Sequence, residues 1–215
     1  MGLDWLKRFI RGRVSTCPFE GWSEVEHTQQ MKVWQDVDGD ALSFARDVTF
    51  GFPDLSDENA VRRRCRELAQ DAKAGLVQAD VVATPDGPAV IFIYKRLDMP
   101  AFVFTGMLVV APASTSSSVW TIVARERGTT GIREALITAN LMAQGKLTPE
   151  SYEKSWTKDP YDPEYSGVDR RTLRYLSDDE SYDSQFPQHP LSKVRRQLRG
   201  LLTLKSHPPA SFAGG

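Results

Sequence analysis

Between Val77 and Arg127 the chain offers four β-rich runs with almost nothing between them, and this crowding limits the fold more than any other feature. The runs are Val77 to Ala83, Ala89 to Arg96, Ala101 to Ala111 and Ser118 to Arg127, all rich in branched and aromatic residues. A parallel crossover needs a dozen or more residues, usually a helix, so runs joined this closely must pair antiparallel. Pro85-Asp86-Gly87 supplies turn residues for the first link, and the polar stretch from Ser114 to Ser118 supplies a hairpin tip for the last.

The flanks extend this meander. Two extended runs, 31–37 and 40–48, surround Asp38-Gly39, a pair suited to a type I′ hairpin turn. Ser56 is placed to cap a helix reaching about Ala74, with Val61, Cys65, Leu68, Ala69 and Ala72 facing inward. After the meander, Thr130 is placed to cap a second helix, in which Ile132, Ala135, Leu136, Ala139 and Met142 recur at helical spacing. The expected class is α+β: hairpin, helix, four-strand meander and helix, an antiparallel sheet sandwiched by helices. Val61, Leu68, Val90, Phe92, Val109, Val123, Ile132 and Leu136 are its expected core. This element order, over roughly residues 30–145, resembles the Mog1/PsbP-like fold. The resemblance implies adaptor and accessory proteins that mostly bind other proteins and share no active site.

Three regions follow. Residues 1–30 read as a short amphipathic helix, with Leu3, Leu6, Phe9 and Ile10 on one face, and a linker. Residues 31–147 form the core domain. Residues 148–215 form a polar extension that carries Tyr152, Trp156, Tyr161, Tyr165, Tyr175, Tyr182 and Phe186, more aromatics than disordered tails hold, so it is expected to be ordered. Its closing helix, about Pro190 to Leu202, aligns Leu191, Val194, Leu198 and Leu201 on one side.

A net charge of −1 argues against the phosphate attraction of a nucleic-acid binder. Two cysteines make no disulfide framework, and no signal-peptide core or transmembrane-length apolar run appears, which points to the cytoplasm. Asp36, Asp38, Asp40 and Asp47 follow an EF-hand-like count, but Ala41 stands where that loop needs glycine, and a solvated turn is expected. Arg127-Gly128-Thr129-Thr130-Gly131 enters a helix as anion sites do, without the lysine of a P-loop, so Gly and Thr read as geometry and capping. His27, His189 and His207 are scattered over loops, no G-x-S-x-G occurs, and Arg62, Arg63, Arg64 and Arg66 read as a solvated helix face. No catalytic residue, metal or cofactor is expected. The interaction candidates are Trp156, Tyr161, Tyr165, Tyr175, Asp178, Asp179, Glu180 and Tyr182, aromatic anchors beside steering carboxylates. They pin the extension to its own sheet or they meet a partner. The functional expectation is a non-enzymatic protein-binding module, of the accessory, chaperone-like or immunity kind found in bacteria, with another protein as partner. The alternative is an enzyme or small-ligand binder with a cleft between sheet and extension.

Overall fold

The computed structural model describes residues 17–85, 87–110 and 117–204. The expected helix from Leu3 to Ile10, the Asp86 turn position, most of the Ser114 to Ser118 tip, and His207 lie outside the described residues. Seven strands form one antiparallel sheet: β1 (Ser23–His27), β2 (Met31–Gln35), β3 (Ala41–Val48), β4 (Gly75–Thr84), β5 (Gly87–Asp98), β6 (Ala101–Val110) and β7 (Ser117–Arg125). Their order is β1-β2-β3-β7-β6-β5-β4, so the meander folds back until β7 closes onto β3, with Phe44 opposite Trp120. The sheet begins ahead of Met31, because Ser23–His27 pairs with β2 as a charged edge strand carrying Glu24 and Glu26.

The hairpin turn differs from the two-residue form expected around Asp38-Gly39. Gln35 pairs with Ala41, Gly39 alone has positive φ at 78°, and the Asp36 carboxylate accepts the Asp38 and Asp40 N–H groups. This is a longer loop built on a turn followed by a left-handed glycine, held by an Asx contact.

Both sheet faces are covered, which is why the central strands are apolar on both sides. Helix α1 (Glu58–Asp71), capped by Asp57 one residue beyond the expected Ser56, lays Val61, Cys65 and Ala69 over Val90, Phe92 and Val109. On the opposite face the C-terminal helix α4 (Pro190–Leu202) lays Leu191, Val194, Leu198 and Leu201 over Phe44, Ile91, Phe104 and Trp120. Gly106 permits that approach. A Cβ there would stand 2.4 Å from Val194 Cγ1 and 2.9 Å from Leu198 Cδ1. Of the expected core, Val61, Val90, Phe92 and Val109 are buried, while Leu68 and Val123 are half-buried.

Helix α2 (Ile132–Ala143) turns the other way from its expected orientation. Ile132 is 47% and Leu136 56% exposed, and the buried positions are Arg133 and Ile137. Gly131, with φ of 75°, occupies the cap position in place of Thr130 and offers no side chain. A short helix α3 (Pro149–Ser155) begins at a Thr148 capping box, and β8 (Thr157–Lys158) pairs with β9 (Arg174–Tyr175) beside the sheet. No helix among the described residues is long and apolar enough to cross a membrane.

Candidate functional site

The extension has little hydrophobic core of its own beyond α4, and charge holds much of the rest in place. Its first stretch clasps α1 and the free edge of β4. The Tyr161 hydroxyl accepts the Ala79 N–H at 2.7 Å and donates to the Ala79 carbonyl at 2.9 Å, which closes one site of an open sheet edge. Arg66 makes two hydrogen bonds to buried Asp159, at 3.0 and 2.8 Å, while its guanidinium stacks on the Tyr165 ring and that of Arg62 on the Tyr161 ring. The arginine run of α1 is therefore only partly a solvated face: Arg62 and Arg66 hold the extension, and Arg63 stays exposed.

Deeper in, two basic side chains are taken fully out of water. Lys95, on β5, meets Asp178 at 2.6 Å, with both side chains at most 1% exposed, and its ammonium lies 3.2 Å from the Tyr175 ring centroid. Burial outweighs Asp178 and lowers the Lys95 pKa. For Asp178 burial acts upward, but Lys95, the Tyr175 N–H and Arg133 together outweigh it and hold the carboxyl below its usual range. Arg133 uses all five donors: Ser177 O, Asp179 O, Ser192 Oγ, and Asp183 Oδ1 twice. Arg195 of α4 joins the same Asp183 oxygen at 3.0 Å and the Asp178 carbonyl at 2.7 Å. Arg133 thus accounts for the turn of α2, since rotating it outward would leave its buried acceptors without their donors.

The eight residues singled out from sequence divide accordingly. Trp156, Tyr175 and Asp178 converge beside Lys95, with Trp156 stacked on Tyr152 at 5.4 Å and tilted against Tyr175 at 5.8 Å. Tyr161 and Tyr165 lie apart from them, on α1 and β4. Asp179 receives Arg174 and Ser181, Glu180 pairs with Arg199, and Tyr182 lines a cleft shared with Trp156. Cys65 is no nucleophile, because burial pushes its thiol up to about 12.

A third cluster, missed in sequence because its members lie far apart along the chain, gathers Glu126, Glu134 and His189. Glu126 follows β7, Glu134 lies on α2, and His189 is the N-cap of α4, its Nδ1 accepting the Leu191 N–H at 3.3 Å. His189 Nε2 faces Glu126 Oε1 at 3.7 Å and Glu134 Oε1 at 3.9 Å, beyond hydrogen-bond reach. Burial pushes the Glu134 carboxyl up. Glu126 is held low despite burial, by His189 and by the N–H groups of Phe102 and Gly131. That Gly131 contact gives the Arg127 to Gly131 turn, read in sequence as geometry and capping, the protein's own carboxylate as its acceptor. The Asp36, Asp38 and Asp40 turn is likewise satisfied internally, since Lys193 reaches Asp38 at 2.6 Å and Arg127 reaches Asp40 at 2.7 Å.

The outer side of α2 carries the remaining feature. Ile132, Ala135, Leu136, Ala139, Met142 and Ala143 form one exposed stripe in which no charged residue stands. No protein-family model matches the chain, and the search of curated proteins found no match.

Proposed function

We propose that this chain is a protein-binding module and that the outer face of α2 is its docking surface. The observation that carries the proposal is the exposure of Ile132, Leu136 and Met142, at 47%, 56% and 38%, on one side of one helix. Isolated exposed apolar residues are ordinary, but a continuous uncharged stripe is the mark of a surface awaiting a partner. Small Ala135 and Ala139 between the larger side chains let another helix approach closely, so the fitting partner presents an apolar helical face. The element order that resembles Mog1/PsbP-like proteins supports the same functional class. The extension supports it indirectly, since its Ser177, Asp179, Asp183 and Ser192 groups hold Arg133 on the inner side of α2.

The test is a photo-crosslinking amino acid at Leu136 in the native cell, followed by reconstitution with the purified crosslinked protein. A partner that binds the wild type, and Val37→Asp equally well, but is lost with Leu136→Asp, supports the reading. Unchanged binding by Leu136→Asp overturns it.

A second reading, small-ligand binding, draws on two clefts that flank the buried cluster. One, of about 480 Å³, is lined by Glu126, His189 and Phe186; the other, of about 450 Å³, by Glu134, Tyr152, Trp156 and Tyr175. Both fall within the size range of small-molecule sites.

A further inference from the structure

Glu126, Glu134 and His189 are spaced too widely for hydrogen bonds and suitably for a metal ion. Nitrogen and oxygen atoms that share a proton stand about 2.7–3.2 Å apart. Two ligands of a tetrahedral ion with bonds of about 2.0–2.1 Å stand roughly 3.4 Å apart. The observed 3.7 and 3.9 Å lie near the second value, and one donor atom from each of the three residues falls within 4.8 Å of the others. The His189 side chain is only 9% exposed, and among the described residues its Nε2, aimed between the two carboxylates, has no hydrogen-bond partner; neither has Glu134 Oε2.

Charge points the same way. The buried cations around the cluster already have carboxylates of their own: Lys95 has Asp178, and Arg133 and Arg195 share Asp183. Among the described residues Glu126 and Glu134 form no ion pair except with the His189 imidazole, although Lys95 acts on both from farther away.

We propose that Glu126, Glu134 and His189 form a binding site for a divalent transition metal of the zinc type, with three protein ligands and a further position open to the cleft beside Phe186. The three ligands come from the end of β7, from α2 and from the cap of α4, so the ion ties the extension to the sheet. The bond from Leu191 N–H to Nδ1 places the proton of a neutral His189 ring on Nε2. Coordination through Nε2 moves that proton to Nδ1 and gives up the Leu191 contact. The metal-bound state therefore carries the opposite tautomer, a signature that adventitious surface binding lacks.

The test uses the full chain, stripped with chelator and titrated with zinc chloride by calorimetry, alongside Glu134→Gln, His189→Gln and, as a control, Asp36→Asn. One ion per chain is expected. Glu134→Gln and His189→Gln should weaken uptake by more than the roughly 100-fold that loss of a supporting residue reaches, and Asp36→Asn should leave it unchanged. Because His189→Gln also alters a helix cap, Glu134→Gln with unchanged near-UV circular dichroism decides between lost binding and lost fold. On the wild type, ¹⁵N spectra should show His189 switching tautomer as zinc is added. Failure of the wild type to take up zinc, uptake indifferent to Glu134→Gln, or an unmoved His189 tautomer would each overturn the proposal.

Discussion

Replacing Lys95 with methionine isolates the largest electrostatic commitment in the fold. Methionine has nearly the same length and packs well in irregular space, so the substitution removes charge with little loss of volume. What remains is the Asp178 carboxylate, 0% exposed, with Oδ2 accepting the Tyr175 N–H and Oδ1 without a hydrogen bond among the described residues. Leaving one member of a buried ion pair uncompensated costs about 3–5 kcal/mol. Lys95→Met is expected to lose that much in a urea melt followed by tryptophan fluorescence. In Lys95→Met/Asp178→Asn the amide oxygen still caps Tyr175 and neither charge of the pair remains, so the double variant should lose only about 1–3 kcal/mol, less than the single one.

The pH dependence fixes the sign. In the wild type the folded Asp178 pKa is lowered, so its contribution is complete above its unfolded value of about 4 and fades as pH falls through the folded value. Without Lys95, burial raises that pKa instead, so the penalty is largest near neutrality and relaxes on acidification. The difference between wild type and Lys95→Met should therefore narrow from about pH 7 to about pH 4. A single-variant cost below about 1 kcal/mol, or a difference that does not move with pH, would refute the account of Lys95 as a paired buried charge.

Gly106→Ala should destabilise by about 1–3 kcal/mol in the same melt, because its Cβ must displace Val194 and Leu198 of α4. Leu198→Ala should cost about 2–5 kcal/mol, since Leu198 is 2% exposed in the centre of that interface. Tyr161→Phe removes the hydroxyl that bridges both polar groups of Ala79, and should cost about 1–3 kcal/mol while speeding hydrogen exchange of the Ala79 amide. Leu136→Asp should change stability by less than about 0.5 kcal/mol, because its side is already in water.

Much of the sheet was legible in the sequence because its signals are local. Short turns forced antiparallel pairing, and the runs beginning at Val77, Ala89, Ala101 and Ser118 became β4 to β7 with ends moved by a few residues. The α4 stripe was equally plain, since Leu191, Val194, Leu198 and Leu201 need only one apolar surface. The edge strand Ser23–His27 was not, because a charged, fully exposed strand has no hydrophobic period to detect. The candidate site was hidden for a different reason. Glu126, Glu134 and His189 meet only once β7, α2 and α4 are in place, and Lys95 sits at a strand position that reads as solvent-facing until Asp178 arrives from the extension.

Helix α2 offers the clearest conflict between local pattern and fold. Its sequence contains two possible inner faces, Ile132-Ala135-Leu136-Ala139-Met142 and Arg133-Ile137-Leu141, and by transfer energy alone the first wins because it carries no charge. The fold buries the second. Five hydrogen bonds to four acceptors, on Ser177, Asp179, Asp183 and Ser192, make Arg133 a satisfied interior group, and withdrawing it would strand Asp183 beside Arg195 with part of its network gone. An ordered extension that spends a buried guanidinium to keep a helix turned apolar side out sets a local rule against a global one, and such conflicts concentrate where a surface has work beyond stability. Arg133→Leu should weaken docking of the extension, and Arg133→Lys, which keeps the charge but not the five-donor fork, should fail to restore it. Restoration by lysine, measured as recovery of hydrogen-exchange protection at Ser177 to Asp179, would show that charge alone orients α2, and the outer stripe would then need another explanation.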